Sequence, residues 1–167
     1  MNWQDYKTQA HKAFIIHDVD ILTKLQCPIG IAIEIGELKD AFNFKAFSKE
    51  KVSIKNTSIK EELGDILFYV ANLEVLINTP IYTLQEGAVP FPIEKLEESS
   101  TSLLRIYLNA TYQEYNKEIS YSQVSGLLRD IRKSVDAIAY ENMVTSEQIQ
   151  QKGIDILKIY HPERFIK

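Results

Sequence analysis

Ile29-Gly30-Ile31-Ala32-Ile33-Glu34-Ile35-Gly36-Glu37-Leu38 and Glu61-Glu62-Leu63-Gly64-Asp65-Ile66-Leu67-Phe68 are the stretches that decide how this chain folds. In each, two carboxylates three residues apart bracket a glycine, Glu34 with Glu37 and Glu62 with Asp65, inside otherwise apolar sequence. Residues three apart share a face of a helix, so each segment reads as an apolar cylinder carrying a narrow acidic stripe. If the two helices pack through these segments, four carboxylates converge in a partly dehydrated space. Repulsion and desolvation would then return protons to them unless cations were present. The natural cation is Mg²⁺, with Mn²⁺ the alternative.

Working outward, helix is favoured nearly everywhere. Apolar residues recur at three and four, and no Val/Ile/Thr-rich alternating segments are bounded by hairpin signals. The expectation is an all-α bundle of five to six helices. The first runs from Trp3 to about His17, with Asp18 to Gln26 continuing or restarting it. Pro28 marks a break, and a second helix covers about Ile29 to Phe44. A loop with Lys45, Lys49, Lys51 and Lys55 leads to Ser58-Ile59-Lys60-Glu61, a capping box that starts the third helix and gives Glu61 a capping role. That helix ends near Asn78, where Pro80, Gly87, Pro90 and Pro92 impose an irregular connection. Further helices follow over about Ile93 to Lys117, Tyr121 to Asn142 and Glu147 to Tyr160, the last two with capping boxes at Ser120 and Thr145. Their apolar stripes suit core or an oligomer surface.

At about 100° per residue, Asp65, Tyr69 and Asn72 fall on the same side of the third helix as Glu62, while Lys60 and Glu74 lie opposite. On the second helix Glu37, Ala41 and Lys45 fall beside Glu34, which puts Lys45 at the mouth of the same cleft. A single Glu-x-x-Glu pair is most often a solvated helix face. The doubled pair differs, because both copies sit in apolar context and both hold a mid-helix glycine that costs about 1 kcal/mol relative to alanine. Such glycines are explained where backbones, metals or phosphates approach closely.

The 167 residues, 45% of them hydrophobic, suffice for one domain with a sizeable core. A net charge of −4 gives no sign of the basic surface that nucleic-acid binding requires. The one cysteine, Cys27, excludes an intramolecular disulfide and a thiolate-rich zinc site. No apolar leader or membrane-spanning run is recognisable, so cytosol is the fitting compartment. Other chemistries fail on their residues. His17-Asp18 is the dyad of HD-type phosphohydrolases, but only His11 and His161 remain to complete such a site. No glutamate stands three residues before a histidine, as ferritin-like di-iron bundles need. No phosphate-binding Gly-x-x-x-x-Gly-Lys-Ser/Thr loop occurs. Cys27, Trp3 and Tyr6 read as core residues.

The two acidic stretches together, from about Ile29 to Leu73, resemble the core of the all-α nucleoside triphosphate pyrophosphohydrolases, the MazG-like superfamily, whose pattern is Glu-x-x-Glu, a variable spacer, then Glu-x-x-Asp. Glu34, Glu37, Glu62 and Asp65 match that pattern in order and type. The resemblance implies a four-helix metal-binding core, Mg²⁺ held by these four residues, and cleavage of a nucleoside triphosphate to the monophosphate and pyrophosphate. It also implies nucleotide contacts at Tyr69 and Asn72, and a homodimer or homotetramer. The whole chain, 1–167, would then be one such domain with an extended helical part after about residue 80. Lys158-Ile159-Tyr160-His161-Pro162-Glu163-Arg164-Phe165 is similar to a terminal Arg-Tyr-Pro-x-Gly-Phe segment of relatives, with Tyr160 in place of the arginine and Arg164 in place of the glycine. That divergence supports the alternative of a non-catalytic helical module with a degenerate nucleotide pocket. Four intact acidic positions oppose it, since drift without catalysis has no physical reason to keep a repulsive cluster.

Overall fold

Six α-helices and one short 3₁₀ turn make up the computed structural model, which describes residues 1–47, 52–78, 89–112 and 119–166, with the side chains of 44–47 and 52–58 outside that description. The helices are α1 (Trp3–Lys12), α2 (Asp20–Phe47), α3 (Val52–Leu76), α4 (Pro92–Tyr112), α5 (Tyr121–Glu141) and α6 (Ser146–Tyr160). The 3₁₀ turn spans Pro162–Arg164. No strand occurs among the described residues, so the chain is all-α as the periodicity predicts.

The long pair α2 and α3 forms the centre. α4 covers α2 and pairs with α5, while α1, α5 and α6 pack on α3. The shared core runs through Ile31, Ile35 and Leu38 of α2, Leu63, Ile66 and Val70 of α3, and Leu103, Leu128 and Ile149 of the later helices, all buried. The helices after Pro92 are therefore part of the core that backs the acidic stretches. Among the described residues, no helix is long and apolar enough to cross a membrane.

Several boundaries differ from the sequence expectation. Pro28 does not break α2 but lies buried within its 28 residues. The ring removes one main-chain hydrogen bond, to the Lys24 carbonyl four residues back. Burial of Cys27, Ile31, Ile35 and Leu38 on the same helix outweighs that loss. The first helix stops at Lys12 rather than His17. Beyond it the backbone is held by side chains: Arg164 donates to the Lys12 and Phe14 carbonyls, Gln26 donates to the Ile15 carbonyl, and the Thr23 hydroxyl bonds both main-chain groups of His17. The third helix begins at Val52, so Ser58 and Glu61 are interior positions and Glu61 has no capping role. Lys45 and Lys55 accordingly lie on α2 and α3 rather than in a loop, and Lys49 and Lys51 lie outside the described residues. The helix read as ending near Lys117 is described to Tyr112, because 113–118 lie outside the described residues.

Of the two later capping boxes, the Thr145 box forms. Its hydroxyl accepts from the Gln148 main chain at 3.2 Å, and the Gln148 side chain accepts from the Thr145 main chain at 3.0 Å. Ser120 makes no cap bond, and its hydroxyl meets that of Ser122 at 3.1 Å instead. Asn2, not singled out by the sequence, caps α1 by accepting from the Asp5 main chain at 2.9 Å.

Candidate active site: a carboxylate cluster between α2 and α3

Packing α2 against α3 brings Glu34, Glu62 and Asp65 together, with one carboxylate oxygen from each lying within 4.8 Å of the others. All three are half-buried. The environment acts on them as the sequence argument requires. Desolvation, followed by the charges of Asp65, Glu37 and Glu62, pushes the Glu34 carboxyl up to about 7. Asp65 is pushed up to about 6 by desolvation and by the charges of Glu61 and Glu37, with Lys152 opposing the rise. Glu37 is exposed and stands outside the tight trio, lining instead an open groove of about 520 Å³ with Ile33, Gly36, Asp40 and Glu97. It remains close enough for its charge to act on both Glu34 and Asp65.

A buried carboxylate elsewhere on α3 shows what Glu34 and Asp65 lack. Glu74, on the opposite side of α3, is held by the Trp3 indole N–H at 2.8 Å, Lys7 at 3.4 Å and Arg132 at 3.5 Å. The Arg132 guanidinium also lies over the Trp3 ring at 3.9 Å. Positive charge from α1 and α5 thus compensates that anion. Among the described residues Glu34 and Asp65 have no ion pair. Lys152 of α6, half-exposed and 3.9 Å from Glu61, is the cation whose charge opposes the rise at Asp65. Buried negative charge without compensation is unfavourable, so oxygen donors in this number and spacing suit a hard divalent cation such as Mg²⁺ or Mn²⁺. The side chains present fit the metal that the sequence pattern implies.

The glycines of the two stretches play different parts. A methyl group at Gly36 would meet nothing within 4 Å, whereas at Gly64 it would lie 3.5 Å from the Ile149 carbonyl oxygen and 3.7 Å from Gly153. α6 thus passes close to α3 directly behind the cluster, at a spacing that a methyl group would fill in ordinary van der Waals contact. The Tyr6 hydroxyl donates to the Gly64 carbonyl at 3.3 Å, and burial, with the charge of Asp65, pushes its phenol well above its ordinary range. Gly30 is needed most plainly, since a methyl there would fall 2.4 Å from the Tyr69 ring. That ring lies flat against the α2 backbone, half-buried, where Glu34 and Asp65 act on its hydroxyl after desolvation.

Of the other sequence candidates, Asn72 is fully buried, donating to the Phe68 carbonyl and meeting His11 of α1, each at 2.8 Å. Lys45 lies on α2, but its side chain is outside the described residues. Cys27 is buried, which raises its thiol far above the reactive range, as a core role requires. Sequence reasoning missed Lys152 and His11. Lys152 comes from a distant helix, and no local pattern marks it. His11 is one of three histidines, and nothing in its local sequence points to Asn72.

A family model described as dUTPase matches residues 5–161 of the chain. The chain belongs to that family. The MazG-like resemblance is thereby narrowed to a related group, the all-α, nucleotide-hydrolysing, dUTPase-like proteins. No curated protein and no solved structure matches the chain. Family membership implies a hydrolase acting on a nucleoside triphosphate, and the match runs from within α1 through the end of α6.

Proposed function

We propose that this dUTPase-family chain is a Mg²⁺-dependent pyrophosphohydrolase that cleaves dUTP, or a closely related nucleoside triphosphate, to the monophosphate and pyrophosphate in the cytoplasm. The observation that carries the reading is the convergence of the Glu34, Glu62 and Asp65 carboxylates, with Glu34 and Asp65 in no ion pair among the described residues, beside a Glu74 held by Trp3, Lys7 and Arg132. The trio would hold the metal, with Glu37 at its edge. When bound, Mg²⁺ would neutralise phosphate charge and polarise the phosphorus and the attacking water.

The chain's own residues account for the rest. A carboxylate oxygen of the set orients a water towards the α-phosphorus and takes its proton. The bond from water oxygen to the α-phosphorus forms, the bridge to the β-phosphate breaks, and pyrophosphate leaves. Tyr69, pressed onto Gly30, keeps solvent from one side of the cluster and offers a ring face to the nucleotide. Lys45 is a further proposed substrate contact, whereas the buried Asn72 acts only through the residues it bonds. The exposed Leu22, Ile29 and Ile33, aligned along α2, support assembly as a homodimer or homotetramer.

The test is incubation with Mg²⁺ and a panel of nucleoside triphosphates, detecting phosphate with and without added inorganic pyrophosphatase. Signal that requires pyrophosphatase, together with a monophosphate product, supports the reading. Silence across the panel, with Mg²⁺ binding confirmed separately, overturns it.

A further inference from the structure

Asn72 shares the face of α3 that bears Glu62 and Asp65, yet it is fully buried and committed to neighbours. Its amide nitrogen donates to the Phe68 carbonyl at 2.8 Å, which turns its oxygen towards Nδ1 of His11, also at 2.8 Å. An amide oxygen can only accept, so Nδ1 carries the hydrogen. Of the two neutral tautomers this selects the one with Nε2 as a bare acceptor. Among the described residues no hydrogen bond is made to Nε2, and His11 is only half-buried.

The position of this acceptor is informative. The His11 ring stacks on Phe14 at 6.0 Å, Phe14 meets Phe68 at 6.0 Å, and Phe68 meets Tyr69 edge-on at 5.2 Å. An aromatic run therefore leads from His11 to the ring beside Glu34 and Asp65. Along α3, Asn72 is two turns from Asp65, about 10 Å at the usual helical rise. That matches the reach from the α-phosphate of a nucleotide to the ring-nitrogen edge of its base.

We propose that His11, held in its Nδ1–H form by Asn72, reads the base of the substrate, its Nε2 accepting the ring N–H of a uracil-type pyrimidine. Cytosine presents a ring acceptor at that position, so two lone pairs would face each other and the pairing is lost. His11 is thus a specificity residue, and Asn72 is a positioning residue acting through it. This rests on the pyrophosphohydrolase reading. Thymine shares the ring N–H, so the discriminating comparison is dUTP against dCTP.

The experiment measures kcat and KM of the full chain for both nucleotides in the wild type, His11→Phe, His11→Gln and Asn72→Asp. In His11→Phe the dUTP:dCTP ratio of kcat/KM falls about tenfold or more, chiefly through the KM for dUTP. His11→Gln, which can still present a carbonyl acceptor, recovers part of the ratio. Asn72→Asp favours the doubly protonated ring, turns Nε2 into a donor and lowers the ratio as well. A merely structural role would lower both substrates together. A wild type that cleaves dUTP, with an unchanged ratio in the folded His11 variants, overturns this inference and leaves the reaction standing. So does a wild type that prefers dCTP. A wild type that releases pyrophosphate from no nucleotide overturns the reaction and this inference with it. If His11→Phe loses its helical circular dichroism, the two remaining variants decide.

Discussion

The acidic pairs of α2 and α3 look alike in sequence but are built differently. On α3, Glu62 and Asp65 both enter the tight cluster, and the glycine between them is buried against α6. On α2 only Glu34 enters, while Glu37 is exposed and Gly36 has open space where a side chain would go. The difference follows from packing. α3 is covered on several sides by α1, α5 and α6, whereas the outer face of α2 beyond Glu34 is left to solvent. Identical spacing therefore yields a clustered pair on one helix and a clustered residue with a solvent-facing neighbour on the other.

Activity would expose that asymmetry most strongly. Asp65→Asn should lower kcat/KM by roughly 10³-fold or more by removing a charge from the trio, whereas Glu37→Gln should cost only about 10-fold. Both numbers come from steady-state kinetics at saturating Mg²⁺. Equal losses would erase the distinction between the pairs, and an Asp65→Asn protein as active as the wild type would remove the metal site altogether.

The next largest effect concerns pH and metal. Glu34 and Asp65 bind protons more tightly folded than unfolded, so their contribution to stability is complete below about pH 4. It is lost as the pH rises through about 6 for Asp65 and about 7 for Glu34. Without metal, the melting temperature of the wild type should therefore fall between pH 5 and 8 relative to Glu34→Gln, by about a few degrees. Millimolar Mg²⁺ should restore it in the wild type and much less in the variant. Parallel melting curves for the two proteins, with and without Mg²⁺, would show that the cluster carries no stored repulsion.

Smaller still is the contrast between the glycines. Gly36→Ala should stabilise the chain by about 0.5–1 kcal/mol through helix propensity, because nothing stands in the way of the methyl group. Gly64→Ala should gain at least as much, since its buried methyl would sit 3.5 Å from the Ile149 carbonyl oxygen and 3.7 Å from Gly153, ordinary van der Waals spacing. Denaturant unfolding of both variants measures this, and a loss of stability in Gly64→Ala would mean that α6 presses on Gly64 more tightly than these distances. The least effect is expected at Glu61→Gln, a change in kcat/KM of about threefold or less. It removes a half-exposed partner of Lys152 and one source of repulsion on Asp65. A loss as large as that of Asp65→Asn would make Glu61 a member of the cluster.

Much of this was legible in the chain. The 3.6-residue recurrence of apolar residues fixes an all-α bundle, and helix-turn spacing is enough to place Glu34, Glu62 and Asp65 on facing stripes. Local rules failed where tertiary burial overrode them. Pro28 is a strong breaker in isolation but is carried inside α2 by the core on either side of it. Ser58 and Glu61 have the spacing of a cap, but α3 extends past them to Val52. Helical spacing puts Asn72 on the acidic side of its helix, yet its partner on α1 cannot be read from it, because no periodicity within α3 says which helix covers it. The same holds for Lys152, which reaches Glu61 from ninety-odd residues further along the chain.

Pro28 has one more consequence. It contributes no amide hydrogen, so the long α2 hydrogen-bond ladder is interrupted between Lys24 and Pro28, less than two turns before Glu34. Helical order propagates through that ladder. Fraying that starts at the exposed Asp20 end meets a gap there and does not pass smoothly into the segment bearing the carboxylates. The proline thus divides the ladder in two, and the half that faces α3 keeps its register through the buried Ile31, Ile35 and Leu38 rather than through bonds to the entry of α2.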